Sequence, residues 1–264
     1  MTPHRLMSLP MRHRAFIESS VLMSGSIYAA KHGLQDTHFN ESMHLLGWLE
    51  THIGIGVITQ TVKSEVSKRL RKRVLELLDP RLAPREKSVA LTQCEDRLHD
   101  ISKYLRLEAI PDYNRFRERL VDVVILYAQL KNRASKRGRD IGQSVHESIA
   151  NMPHYLRGVV SDIRREQFWK ESAQLMRLRN KSLSRTDQEI LAEAACLYEA
   201  YNRQEPTRLW VASTDTLMAP VLNEDKQSVK SATITKALNE RFQINCDWPH
   251  RIAAELQATE VPDP

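Results

Sequence analysis

Two short apolar runs near the start of the chain, AFI at 15–17 and IGVIT at 55–59, are each followed by residues at helical spacing. Such runs are too short and too uniformly apolar for half-exposed strands and suit strands buried on both faces. The segment HFNESMHLLGWLETHIG sets Phe39, Met43, Leu46, Leu49 and Ile53 along one helical face. TQTVKSEVSKRLRKRVLELLD does the same with Val62, Val66, Leu70, Val74 and Leu77, and Pro80 and Pro84 end that helix. Strand, helix, strand, helix leaves few solutions, the simplest being a parallel sheet covered by helices. GIG at 54–56 lacks the rest of a dinucleotide-binding glycine motif and reads as a tight turn into the second strand.

The alternation returns late in the chain. SRTDQEILAEAACLYEAYNR is a helix capped by Ser184 or Thr186, and RLWVASTD is a strand. FQINCDWPHRIAAEL gives a short strand and a last helix with Pro249 in its first turn. Between 85 and 182 no strand is expected, only helices at about 85–107, 112–136 and 158–180. The basic stretch KNRASKRGRDIGQS is expected to join the last two. The chain thus reads as an α/β domain split in sequence, 14–80 and 183–258, with a mostly helical insertion at 85–182 and flexible termini at 1–13 and 259–264. Its 8 glycines in 264 residues agree with a largely helical fold.

A formal charge of +6 favours polyanionic partners. Cys94, Cys196 and Cys246 lie far apart with no CxxC pair, which argues against a disulfide scaffold or a structural zinc. The N-terminal MTPHRLMSLPMRH has no apolar core of a secretory signal, and no apolar run approaches the roughly 18 residues of a membrane span. A cytoplasmic protein without membrane association is expected.

Four acids stand out by position. Glu18 and Asp215 lie at the carboxyl ends of expected strands, the first at about 14–19, Glu65 sits early in the helix after GVIT, and Asp187 opens the helix TDQEILAEAA. In an open parallel sheet the ligand crevice lies outside the carboxyl ends of the strands, where the following helices also begin. Each acid has an ordinary reading: Glu65 as a solvated helix residue, Asp187 as a helix-terminus charge, Asp215 as a turn former. Glu18 is the hardest to read in such a way, because the segments that flank it look buried.

At these segments the sequence resembles the PIN domain family of metal-dependent nucleases. AFIESSVL is similar to the family's first strand, which normally carries an Asp followed by small hydroxyl residues, here Glu18 and Ser19. VITQTVKSEVSKRL resembles the second motif at Glu65, TDQEILAEA the third at Asp187, and LWVASTDTLM the fourth at Asp215 with Ser213 as its hydroxyl. The resemblance implies a three-layer α/β/α domain with a central parallel sheet, and a Mg²⁺ or Mn²⁺ centre held by Glu18, Glu65, Asp187 and Asp215. Ser19 and Ser213 would be the supporting hydroxyls. It departs from the family in having Glu18 where Asp is usual, and in the long separation of Glu65 from Asp187.

Hard carboxylate oxygens suit Mg²⁺ or Mn²⁺ rather than zinc, and such ions serve phosphodiester hydrolysis. The expected activity is therefore a ribonuclease with RNA as partner. Two alternatives stand beside it: a weak or inactive PIN module that binds RNA or a protein, and the toxin of a toxin–antitoxin pair, with an antitoxin as partner. A homodimer is compatible with any of them. Lys131, Arg133, Lys136, Arg137 and Arg139 in the basic joint are candidate phosphate contacts, set against an ordinary exposed loop.

Overall fold

The first strand, β1 (Arg12–Ile17), becomes progressively buried until Ala15, Phe16 and Ile17 have no exposed surface. Burying side chains of the size of Phe16 and Ile17 contributes about 1.5–3 kcal/mol each. A computed structural model describes residues 11–150, 177–178, 181–221 and 233–260, the side chains of 137–150, 233 and 260 excepted. After β1 come α1 (Ser19–Ser26), a small antiparallel hairpin of β2 (Tyr28–Ala29) and β3 (Leu34–Gln35), and α2 (Phe39–Thr51). Then follow β4 (Gly56–Thr59), α3 (Gln60–Leu77), α4 (Pro84–Ser102), β5 (Arg106–Glu108) and α5 (Tyr113–Ala150). The chain continues with α6 (Arg185–Gln204), β6 (Thr207–Ala212), α7 (Thr233–Phe242), β7 (Ile244–Asp247) and α8 (Pro249–Glu260).

The main sheet has the order β5-β4-β1-β6-β7, and every pairing in it is parallel. β1 is central. From it the chain first winds outwards through β4 to β5, then crosses back to β6 and β7. The order therefore reverses between β1 and β6, whose register aligns Ile17 with Ala212. A crevice at the carboxyl ends of these two strands follows from this topology. Right-handed crossovers require the helices of the two halves to lie on opposite faces. The contacts of the crossover helices agree: α1 packs on α2, α3 and α4, whereas α5 packs on α6; α8, which follows the last strand and belongs to no crossover, packs on α2. The fold is a three-layer α/β/α arrangement, as expected.

The main core gathers β1, β4 and β6 with the inner faces of α2, α6 and α8, including Leu45, Leu49, Val57, Leu191, Val211 and Ile252. A smaller cluster under the hairpin joins Ile27 and Leu34 to Leu70, Val74 and Cys94. Along α3 the buried stripe Val62, Val66, Leu70, Val74 recurs every fourth residue, as the sequence spacing requires. Gly54 has φ +93°, which favours glycine in the turn into β4, and a Cβ on Gly56 would lie 2.7 Å from Leu105 Cδ2, so a larger residue there would displace Leu105 and Leu49.

Five expectations are corrected. β1 ends at Ile17, not at about 19: Glu18 is the residue before α1, and Ser19 begins that helix. Ile53 lies beyond α2 and is 80% exposed. A strand, β5, lies in the segment expected to be all helix, and it extends the sheet beside β4. Arg12 and His13 of the expected flexible N-terminus belong to β1, and Thr259 and Glu260 of the expected flexible C-terminus close α8. KNRASKRGRDIGQS is no joint, because α5 runs unbroken through it to Ala150. Of the helix expected at 158–180, only 177–178 fall among the described residues, and these are helical.

Candidate metal centre

Where β1 runs out, the Glu18 N–H donates to the Ala212 carbonyl at 3.1 Å, extending the β1–β6 ladder by one bond. Glu18 is the residue before α1, with extended backbone (φ −77°, ψ 159°), and its side chain turns inwards until only 2% is exposed. Hydroxyls surround the carboxylate. Ser19 donates to Oε1 and Ser20 to Oε2, while Ser213 donates to Oε2 at 3.1 Å. Ser20 Oγ also accepts the Thr214 N–H at 3.0 Å, and Ser213 Oγ accepts the Asp215 N–H at 2.9 Å. The turns after β1 and β6 are thus tied together through Glu18.

Glu65 lies on the inner side of α3 between Val62 and Val66, 8% exposed. Its Oε1 accepts from Arg69 Nη1 at 2.6 Å, and its Oε2 accepts from Ser19 Oγ at 2.7 Å. Ser19 therefore touches two carboxylates with a single hydroxyl hydrogen, which can serve only one of them. Asp187 arrives from α6, fixed by a capping box in which its Oδ2 accepts the Ser184 N–H at 2.9 Å and its N–H donates to Ser184 Oγ at 3.1 Å. One oxygen each of Glu18, Glu65 and Asp187 lie within 4.8 Å of one another.

Asp215 is not part of this triad. It opens the turn after β6, where its Oδ1 accepts the Leu217 N–H at 2.8 Å and its carbonyl accepts from Met218 and Ala219. Tyr127, from α5, pins the same turn by donating to the Leu217 carbonyl at 3.2 Å.

Burial pushes the Glu18 carboxyl up to about 7; the Ser19 and Ser20 bonds oppose this, and the Asp187 charge adds to it. Burial also raises Asp187, against its Ser184 bonds, with the Asp215 and Glu65 charges contributing. Asp215 is thus felt at the triad although it lies outside it. Tyr127 is raised well above its usual range, first by burial and then by the charges of Cys246, Asp215 and Asp187.

Three carboxylates against the Arg69 guanidinium leave two negative charges uncompensated at full ionisation. Without a cation, burial first and the Asp187 charge after it favour the protonated form of Glu18. With one, hard oxygen donors at this separation fit a small divalent ion such as Mg²⁺ or Mn²⁺. Beside the triad, a cleft of about 510 Å³ opens between the first turns of α3 and α6. Glu65 lines both the triad and the cleft, with Lys68 and Arg69 beside it and Ser184 and Thr186 across.

Of the sequence candidates, Glu18, Glu65 and Asp187 converge, Ser19 and Ser213 both bond Glu18, and Asp215 lies outside the group, in the turn after β6. In the basic stretch, Lys131 donates to Ser182 Oγ at 2.7 Å, and Arg133 and Lys136 are exposed. The side chains of Arg137 and Arg139 lie outside the described residues. Sequence reasoning missed Ser20, Arg69, Tyr127 and Glu193. Glu193 is 6% exposed and accepts from the Thr59 and Thr61 hydroxyls, clamping α6 to the start of α3. Its signal was available: an acid inside ILAEAACL, where every neighbour is buried.

No family model, curated protein or solved structure matches this chain.

Proposed function

We propose that the protein is a Mg²⁺- or Mn²⁺-dependent phosphodiester hydrolase of the PIN type, acting on RNA. The observation that carries this is the burial of Glu18 and Glu65 at 2% and 8% exposure, with Asp187 completing a group of oxygens within 4.8 Å. Buried carboxylates this close repel one another unless a proton or cation lies between them. A bound divalent ion would supply Lewis acidity and lower the pKa of a water. Glu18, Glu65 and Asp187 would hold it. The three serines fix Glu18, the capping box fixes Asp187, and Asp215 adds negative charge at the neighbouring turn.

A second reading, a weak or inactive PIN module that binds RNA, is favoured by one feature. The Glu18 carboxyl, raised to about 7, is partly protonated near neutrality and to that extent competes with metal.

Mn²⁺-dependent cleavage of single-stranded RNA by the wild type, Asp187→Asn and Asp215→Asn separates the two. Asn preserves an acceptor for the capping box or the turn while removing the charge, so both variants should fold. The hydrolase reading expects cleavage by the wild type, loss of it in Asp187→Asn and a marked fall in Asp215→Asn. Full activity in Asp187→Asn would sink it.

A further inference from the structure

The cleft beside the triad has a lining that the carboxylates do not explain. Gln60, Ser64 and Lys68 follow one another at every fourth residue of α3, and so do Thr61, Glu65 and Arg69. Two adjacent rows therefore face the same space. Each row begins with a neutral hydrogen-bonding group and ends in a cation. The opposite wall is Ser184, the cap of α6, with Thr186 and Glu189 of that helix, Glu189 already paired to Arg185 at 2.9 Å. Among the described residues no aromatic side chain lines the cleft, so it offers phosphate and hydroxyl contacts in place of an aromatic stacking platform. Among the described residues no ion pair engages Lys68, and Arg69 is 60% exposed while one of its nitrogens holds Glu65.

We infer that this cleft is the track for the sugar–phosphate backbone of single-stranded RNA, with Lys68 and Arg69 gripping the phosphates adjacent to the carboxylate triad. The inference rests on the hydrolase reading for what happens at the triad, but the grip itself needs no catalysis. Cations and hydroxyls without a stacking ring recognise backbone rather than bases. Glu65, shared by triad and cleft, fixes their spacing: Arg69 lies one helical turn along the same row. A strand lying along α3 passes from the cationic end directly to the carboxylates.

The test uses the full chain in EDTA, so that no cleavage intervenes, and a fluorescein-labelled 12-nucleotide oligouridine read by anisotropy across a KCl series. For a single strand each phosphate contact contributes about 0.7 to the slope of log affinity against log salt. The double variant Lys68→Gln/Arg69→Gln should flatten the slope by about 1.4. Arg71→Gln/Lys72→Gln removes the same charge from the same helix outside the cleft and should leave the slope close to that of the wild type. An unchanged slope in the first pair, or equal flattening in the second, would overturn the assignment. Calorimetric titration of the wild type with Mn²⁺ keeps the two ideas apart. Flattening without Mn²⁺ binding would leave an RNA groove beside a site that is not a metal centre, whereas Mn²⁺ binding without flattening would leave the metal centre and remove the groove.

Discussion

Replacing Glu18 by Gln should stabilise the metal-free protein, and only at high enough pH. The carboxyl has an ordinary value of 4.5 and is raised to about 7 in the fold, chiefly by burial. For an acid raised in this way, the folded state holds the proton more tightly than the unfolded chain. Its stabilising contribution is complete below about 4.5, falls through the interval to about 7, and is gone above it. At about 1.4 kcal/mol per pKa unit, the ionised side chain costs the apo protein about 3 kcal/mol at pH 8 relative to pH 4. Glutamine keeps an oxygen for the hydroxyls of Ser19, Ser20 and Ser213 and never ionises. Urea unfolding in EDTA at pH 4, 6 and 8 measures the difference between the two proteins. The variant should match the wild type at pH 4 and exceed it by about 3 kcal/mol at pH 8. Adding Mn²⁺ at pH 8 should reverse the order, since only the wild type offers the full triad. A stability difference that does not change with pH would refute the reasoning, because it would mean that Glu18 is not a buried ionising group.

Arg69→Gln should tighten Mn²⁺ binding severalfold by calorimetry, because Glu65 Oε1 would no longer be shared with a guanidinium 2.6 Å away. Weaker binding would instead make Arg69 a support of the site. Glu18→Asp should lower both Mn²⁺ affinity and cleavage, because the serine cage is built around the longer side chain. A gain in either would show that the glutamate is misplaced for metal.

The strands that lie inside the sheet were legible because their side chains are buried on both faces and leave continuous apolar runs such as AFI and GVIT. Arg106–Glu108 was not, since an edge strand of three residues pairs only with β4 and carries Arg, Leu and Glu partly in solvent. α1 was hidden for another reason: SSVLMSGS has little helical propensity, and its buried Val21 and Leu22 look like a continuation of the strand. The basic stretch from Lys131 suggested a break because it lacks an apolar stripe, yet lysine and arginine are good helix formers and α5 continues through it. At the site, the topology brings all four acids to one edge, which position in the sequence could reveal. Which acids meet depends on local bonds that spacing does not carry. The capping box aims Asp187 at Glu65, while the Leu217 N–H holds Asp215 back in its turn.

The central claim is that Glu18, Glu65 and Asp187 bind one divalent cation together. Anomalous scattering from a crystal soaked in MnCl₂ tests it most directly. The account predicts a manganese peak within coordinating distance, about 2.0–2.3 Å, of one oxygen from each of the three carboxylates. It also predicts that Arg69 will have moved off Glu65 Oε1. A fully occupied peak elsewhere, with Arg69 still paired to Glu65 and nothing among the three acids, would contradict it.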